Sequence, residues 1–163
     1  MIKRIILAVL IIATVLWLGF IYSNSIETAE QSSEKSSSVT EIVNKVAEKV
    51  GIEEEIPEKT VREMAHFSEF ALLAVLICAD VAVGLMIWGN TVSIYWRSMC
   101  VFCSLPLCFL LACVDELLQR GSDGRASQFT DVLLDTLGAL CGVAAALAVY
   151  MIFTLVRKRK SSK

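Results

Sequence analysis

HFSEFALLAVLICADVAVGLMIW, residues 66–88, opens with an imidazole and a carboxylate and then stays apolar for a full membrane thickness. After Glu69 the only acidic or basic side chain before Trp88 is Asp80. A helix needs roughly 17 apolar residues or more to cross the hydrocarbon of a bilayer, and the run from about Phe67 to Trp88 meets that length. Three other stretches do the same: Ile5 to Tyr22, about Tyr95 to Val114, and about Val132 to Val156. Lipid offers backbone groups no hydrogen-bond partner, and continuous apolar runs lack the alternation of a membrane barrel strand. The expected fold class is therefore an all-α membrane protein, a bundle of four transmembrane helices at about 5–22, 67–88, 95–114 and 132–156, in one domain over 1–163. A composition that is 56% hydrophobic, with mean hydropathy +0.65, agrees with that expectation.

Charge sets the expected orientation. Lys3 and Arg4 precede the first run, Arg97 lies between the second and third, and Arg157, Lys158, Arg159, Lys160 and Lys163 follow the fourth. By the positive-inside rule both termini and the Arg97 loop are cytoplasmic, in a multi-pass protein of the cell membrane. The loop 23–66 is rich in glutamate and faces outward. Trp17 and Tyr22 at one boundary, and Trp88, Tyr95 and Trp96 at the other, suit interfacial aromatic belts. The net charge of −2 conceals this asymmetry, which speaks for a membrane and against nucleic acid. A cleaved secretory signal is the rival reading of residues 1–25, although the apolar run is long and Ser23-Asn24-Ser25 is a weak cleavage site; it would leave the polar cluster in place.

The loop 23–66 carries structure of its own. Gln31 to Ser38 reads as flexible, and Ser38-Val39-Thr40-Glu41 as a capping box that opens a short amphipathic helix. Val39, Ile42, Val43, Val46 and Val50 recur at helical spacing, and Gly51 is the stop. Such a helix suits the membrane surface or a cover over the bundle.

Polar residues gather at the outer ends of the spans. Pro57 is a sound first helical residue, and Arg62, His66 and Glu69 then occupy one narrow stripe leading into the second span. Asp115, Glu116 and Gln119 close the third span. Asp131 and Asp135 open the fourth at i, i+4, on a stripe that continues through Gly138, Gly142 and Ala145; small residues there let another helix approach and point both aspartates inward. Arg120, Gly121, Gly124 and Arg125 form a loop over the cluster.

The spaced pattern Val61-Arg62-x-x-Ala65-His66-Phe67-x-Glu69-Phe70-Ala71-x-Leu73, then Asp115-Glu116-x-x-Gln119, then Gly124-Arg125 and Asp131-x-x-x-Asp135-x-x-Gly138-x-x-x-Gly142, resembles the VanZ-like family. The resemblance covers nearly the whole chain, including the first helix with its trailing Ser23-Asn24-Ser25. It implies an integral membrane protein connected with antibiotic resistance: the family's namesake lowers sensitivity to teicoplanin, a lipid-tailed glycopeptide that binds cell-wall precursors outside the membrane. It also implies a ligand-binding set of Arg62, His66, Glu69, Asp115, Glu116, Gln119, Arg125 and Asp131. Two positions depart from the family pattern, Glu63 where a basic residue is frequent and Phe70 where tyrosine is usual, and both bear on whether the ligand is shared.

Three functions fit these residues. The first is binding of a lipid-linked cell-wall precursor or lipoglycopeptide, with membrane lipids as surroundings and Arg62 and Arg125 as fork-shaped phosphate donors. The second is an enzyme acting on a lipid-linked envelope component, with His66, Glu69 and Glu116 as catalytic candidates. The third is a structural ion-pair network. His66 with Glu69, Glu116 or Asp115 offers metal-ligand atoms, but no HExxH or paired-histidine spacing accompanies it, and neither a metal nor another cofactor is assigned. Ser68 lies about 200° around the helix from His66 and forms no nucleophilic dyad with it. Asp80, deep in the second span, reads as a local packing residue. Cys78, Cys100, Cys103, Cys108, Cys113 and Cys141 all fall in apolar spans, and Cys100-x-x-Cys103 reads as packing rather than as a redox or zinc pair. Pro106 is expected to kink the third span.

Overall fold

Each apolar run is a helix in the computed structural model, which describes residues 1–52, 54–87, 98–124 and 128–161. In chain order the helices are α1 (Ile2–Ser25), α2 (Ala29–Lys49), α3 (Glu58–Ile87), α4 (Leu105–Arg120) and α5 (Phe129–Ser161), with a π-helical turn at Cys100–Ser104 leading into α4. No strand occurs among the described residues. α1, α3, the Cys100–Arg120 segment and α5 are each long and apolar enough to cross a membrane, so the chain is a multi-pass membrane protein. The Arg97 loop and the aromatic belt expected from Trp88, Tyr95 and Trp96 lie outside the described residues.

α3 and α5 form the centre of the bundle. An ideal Cβ built on Gly138 would overlap the carbonyl of Phe67, and one on Gly142 that of Ala71. Backbone meets backbone here, as expected of small residues between membrane helices. The stripe then continues through Val143 and Ala146; Ala145, expected on the same face, is exposed, because the packed face follows the 3.6-residue period one position further on. Around this seam lie Ile21, Phe70, Leu73, Ala74, Cys78, Cys108, Ala112, Ala139 and Val143, all buried.

α1 joins through a narrow polar stripe at helical spacing. Thr14 Oγ1 donates to Asp80 Oδ2 at 2.7 Å, and Trp17 Nε1 to the Glu69 carbonyl at 3.0 Å. The Tyr22 hydroxyl donates to the Leu111 carbonyl at 3.3 Å. Trp17 and Tyr22 were expected in an interfacial belt. Their polar tips tie α1 to α3 and α4, where a half-buried N–H or O–H finds a fixed carbonyl partner. The Thr14 bond supports a packing role for Asp80.

α2 departs furthest from expectation. It starts at Ala29, and the capping box is made by Thr28 and Gln31: Thr28 Oγ1 accepts from Gln31 N at 3.3 Å, and Gln31 Oε1 from Thr28 N at 3.2 Å. Ser38 is interior, its hydroxyl donating back to the Glu34 carbonyl at 3.2 Å. The stretch 31–38 is helical because tertiary bonds hold it. Ser33 and Ser36 both donate to the carboxylate of Glu58, in the first turn of α3. Further along, Asn44 Oδ1 accepts from Ile56 N at 2.9 Å while its amide donates to the Ile56 carbonyl at 3.2 Å. Gly51, at φ 87°, ends α2 as expected: its N–H reaches Glu48 O and that of Ile52 reaches Ala47 O, both at 3.0 Å. Val39, Ile42, Val46 and Val50 form an exposed apolar row, suited to lying on lipid.

The π-helical turn answers the problem set by Pro106. A proline ring clashes with the carbonyl four residues earlier, and Phe102 lies within the widened turn. Cys100 is buried and Cys103 exposed, which separates the CxxC sulfurs onto different faces. Cys141 is exposed as well, so not every cysteine is a packing residue.

The glycine seam generates a direct expectation. Gly142→Leu places a side chain where the Ala71 carbonyl stands and should cost about 3 kcal/mol or more, the upper end for forcing volume into a packed interior. Gly19→Leu, with nothing within 4 Å of its built Cβ, should change stability by less than about 0.5 kcal/mol. Thermal unfolding of the two variants in detergent, compared with wild type, checks both.

Candidate functional site

Alternating helix direction collects four polar helix ends at one end of the bundle: the C-termini of α1 and α4 and the N-termini of α3 and α5. Each contributes a short stripe. Lys59, Arg62, His66 and Glu69 follow one another at three- and four-residue steps on α3, and Asp115 and Gln119 lie one turn apart on α4. Asp131 and Asp135 are one turn apart on α5, and Asn24 and Ser25 end α1.

The centre of the cluster is Asp115, fully buried. Ser25 Oγ donates to its Oδ1 at 2.5 Å and Gln119 Nε2 to its Oδ2 at 2.9 Å. Glu69 stands beside it, with Oε1 accepting from Asn24 Nδ2 at 3.2 Å. His66 Nδ1 is 3.8 Å from Glu69 Oε2 and 4.0 Å from Asp115 Oδ2, near enough for ion pairing when the imidazole is protonated and too long for a hydrogen bond. Asp135 completes the group from α5 with 3% of its surface exposed. His66, Asp115 and Asp135 each bring one potential ligand atom within 4.8 Å of the others. The buried oxygens Glu69 Oε2 and Asp135 Oδ1 have no hydrogen-bond partner among the described residues.

A cavity of about 170 Å³ opens beside this cluster, lined in part by Lys59, Arg62, His66, Gln119, Asp131 and Asp135. Its rim includes Ala29 at the start of α2 and Gly124 in the α4–α5 connection, where the Asp123 carbonyl accepts from Ala29 N at 3.0 Å. Gly124 needs to be glycine on two counts: its φ is 77°, and a Cβ would lie 3.1 Å from that of Ala29.

Of the residues expected in the site, Arg62, His66, Gln119 and Asp131 line the cavity, and Glu69 and Asp115 lie behind it. Glu116 is buried beside Asp115, its Oε1 accepting from the Gln128 backbone N–H at 2.6 Å just before α5. Arg125 lies outside the described residues. Four residues not in the expected set belong to the arrangement: Lys59, Asp135, Asn24 and Ser25. Lys59 precedes Arg62 by three and His66 by seven, a helical-stripe signal visible in the sequence. Asp135 points inward, as its i, i+4 stripe with Asp131 predicts, and joins the cluster although the resemblance does not include it in the ligand set. Asn24 and Ser25 enter the sequence reading only as the tail Ser23-Asn24-Ser25 of the family resemblance, and the docking of α1 gives them their contacts in the cluster.

Compared with protein-family models, the chain matches VanZ/LLP1 over residues 10–154. Comparison with curated proteins and with solved structures returns no match.

The hydroxyl on Asp115 can be tested apart from any ligand. Ser25→Ala removes a donor from a fully buried carboxylate and should lower stability by about 1–3 kcal/mol. Ser23→Ala, which removes only an exposed hydroxyl bonded to the Phe20 carbonyl of its own helix, should leave the melting temperature in detergent within error of wild type.

Proposed function

The chain belongs to the VanZ/LLP1 family, whose model covers residues 10–154, and on that premise we propose that its polar end faces outward and binds the anionic headgroup of a lipid-linked cell-envelope component. The observation that carries this reading is the cavity wall. Lys59 and Arg62 stand on the α3 stripe that leads down to His66, and all three line one small cavity. A guanidinium offers a planar fork that matches phosphate oxygens, and an ammonium beside it adds charge without fixed geometry.

Size decides what enters. At about 170 Å³ the cavity is below the roughly 300 Å³ that drug-sized ligands require, so it suits a headgroup and not an entire glycopeptide. Any effect on teicoplanin susceptibility then comes from holding or masking a lipid-linked precursor. Turnover is the second reading: His66, with Glu69 and Asp115 oxygens 3.8 and 4.0 Å from its Nδ1, would then act on the bound headgroup.

The test uses the full-length protein in lipid nanodiscs with a polyprenyl diphosphate as probe. Wild type should retain it saturably and release no product. Arg62→Gln and Lys59→Gln should each weaken retention by about tenfold, the size of one lost charge-assisted hydrogen bond. In a Gram-positive host lacking its own relative, wild type should protect against teicoplanin and His66→Ala at matched membrane levels should not. Absence of saturable binding by folded wild type overturns the reading.

Orientation is checked separately. A cysteine at Ser37, exposed on α2, should react with a membrane-impermeant maleimide in intact cells; labelling only after permeabilisation reverses the assignment.

A further inference from the structure

We propose that His66, Asp115 and Asp135 hold a divalent cation of the zinc or manganese class at the floor of this cavity. Three helices converge to make the group: α3 supplies the imidazole, α4 one carboxylate and α5 the other. Their ligand-capable atoms lie within 4.8 Å of one another. Around a zinc ion with bonds of about 2.1 Å, neighbouring donor atoms stand roughly 3.5 Å apart, so side-chain adjustments of about 1 Å complete the shell.

Burial and hydrogen bonding point to a missing partner. Asp135 is 3% exposed, it is aimed into the cluster, and its Oδ1 meets no hydrogen-bond donor among the described residues. Glu69 Oε2, beside His66, is in the same position. A buried carboxylate oxygen that faces other carboxylates is unfavourable unless something positive stands between them. Among the described residues, the nearby cations Lys59 and Arg62 are exposed at the rim, away from these oxygens, and Lys59 lies 3.5 Å from Glu63.

The donor set selects the ion class. One imidazole with carboxylates is a nitrogen and oxygen environment, which suits zinc or manganese and excludes the thiolate-loving metals. Asp115 has the outer partners expected of an oriented ligand, since Ser25 Oγ and Gln119 Nε2 hold one oxygen each and leave lone pairs on both. His66 and Asp135 also line the cavity, which places the open side of the ion toward Lys59 and Arg62. The cation also makes an acidic floor compatible with an anionic headgroup, and in this the inference deepens the function proposed above. Its test contains no lipid, so each can fail without the other.

Full-length protein in detergent, stripped with a chelator, is dialysed against Zn²⁺ alone or Mn²⁺ alone and its metal content measured. Wild type should retain about one equivalent. Asp135→Asn and His66→Gln should weaken retention tenfold or more, and Lys45→Gln, at an exposed ion pair on α2, should leave it unchanged. Circular dichroism and gel filtration establish that each variant is folded. If Asp135→Asn does not fold, pulsed paramagnetic resonance of the Mn²⁺-loaded protein decides: a nitrogen coupling in wild type that vanishes in His66→Gln supports the site. Failure of folded wild type to retain either ion, retention unaffected in both ligand variants, or a manganese signal without nitrogen coupling overturns it.

Discussion

Everything at the polar end depends on how closely α3 and α5 approach. Gly138 and Gly142 present no Cβ to the carbonyls of Phe67 and Ala71, so the two backbones touch. Phe67 follows His66 in sequence, and Asp135 lies one turn before Gly138. A contact that fixes Phe67 against Gly138 therefore also fixes the imidazole against the carboxylate. Between membrane helices, lipid tails are as apolar as the side chains and the hydrophobic effect gives no preference for association, so close packing and polar bonds must supply it. The glycine seam supplies the first between α3 and α5, and the hydrogen bonds to Glu69 and Asp115 supply the second by tying α1 to α3 and α4.

α1 extends the logic along the bundle. Its surface is mainly exposed leucine, isoleucine and valine, and its inward stripe is Thr14, Trp17, Asn24 and Ser25. Each of these reaches a carboxylate or the backbone of a carboxylate-bearing residue: Thr14 meets Asp80, Trp17 the carbonyl of Glu69, Asn24 the Glu69 side chain and Ser25 that of Asp115. A bilayer leaves such carboxylates no water to bond to, and a helix that brings hydroxyls and amides is held by them in return. α1 thus docks chiefly through polar bonds, with Ile21 as its fully buried apolar contact.

The membrane helices and the end at which the polar residues collect were legible in the sequence, because both follow from long apolar runs and from where charge interrupts them. The Gly138-x-x-x-Gly142 contact was legible for the same reason, as a local pattern with one physical use. What escaped was decided by tertiary partners. Ser38 carries a valid capping sequence, yet Thr28 with Gln31 does as well, and the bonds from Ser33 and Ser36 to Glu58 favour the earlier start. Trp17 and Tyr22 have the composition of interface anchors, but their donors face carbonyls of neighbouring helices. The resemblance places Glu116 in the ligand set, but its bond to the Gln128 backbone, a helical step of about 100° from Asp115, follows only from the tertiary structure.

The position of the cavity bears on what kind of molecule can use it. It lies where α3 and α5 enter their apolar lengths, with Leu134 in its wall and Leu133 and Leu137 exposed on the adjoining outer surface of α5. A water-soluble ligand would gain nothing from that surface. Under the proposed function, a lipid-linked ligand would lay its chain against Leu133 and Leu137 while its headgroup turned in toward Lys59 and Arg62. The exposed row of Val39, Ile42, Val46 and Val50 on α2 suits the same boundary, and Ala29 at the start of that helix forms part of the cavity rim. Under the function proposed above, a small charged cavity with an apolar approach would favour a headgroup that arrives on a tail, and that selectivity would follow from where the pocket sits as much as from which residues line it.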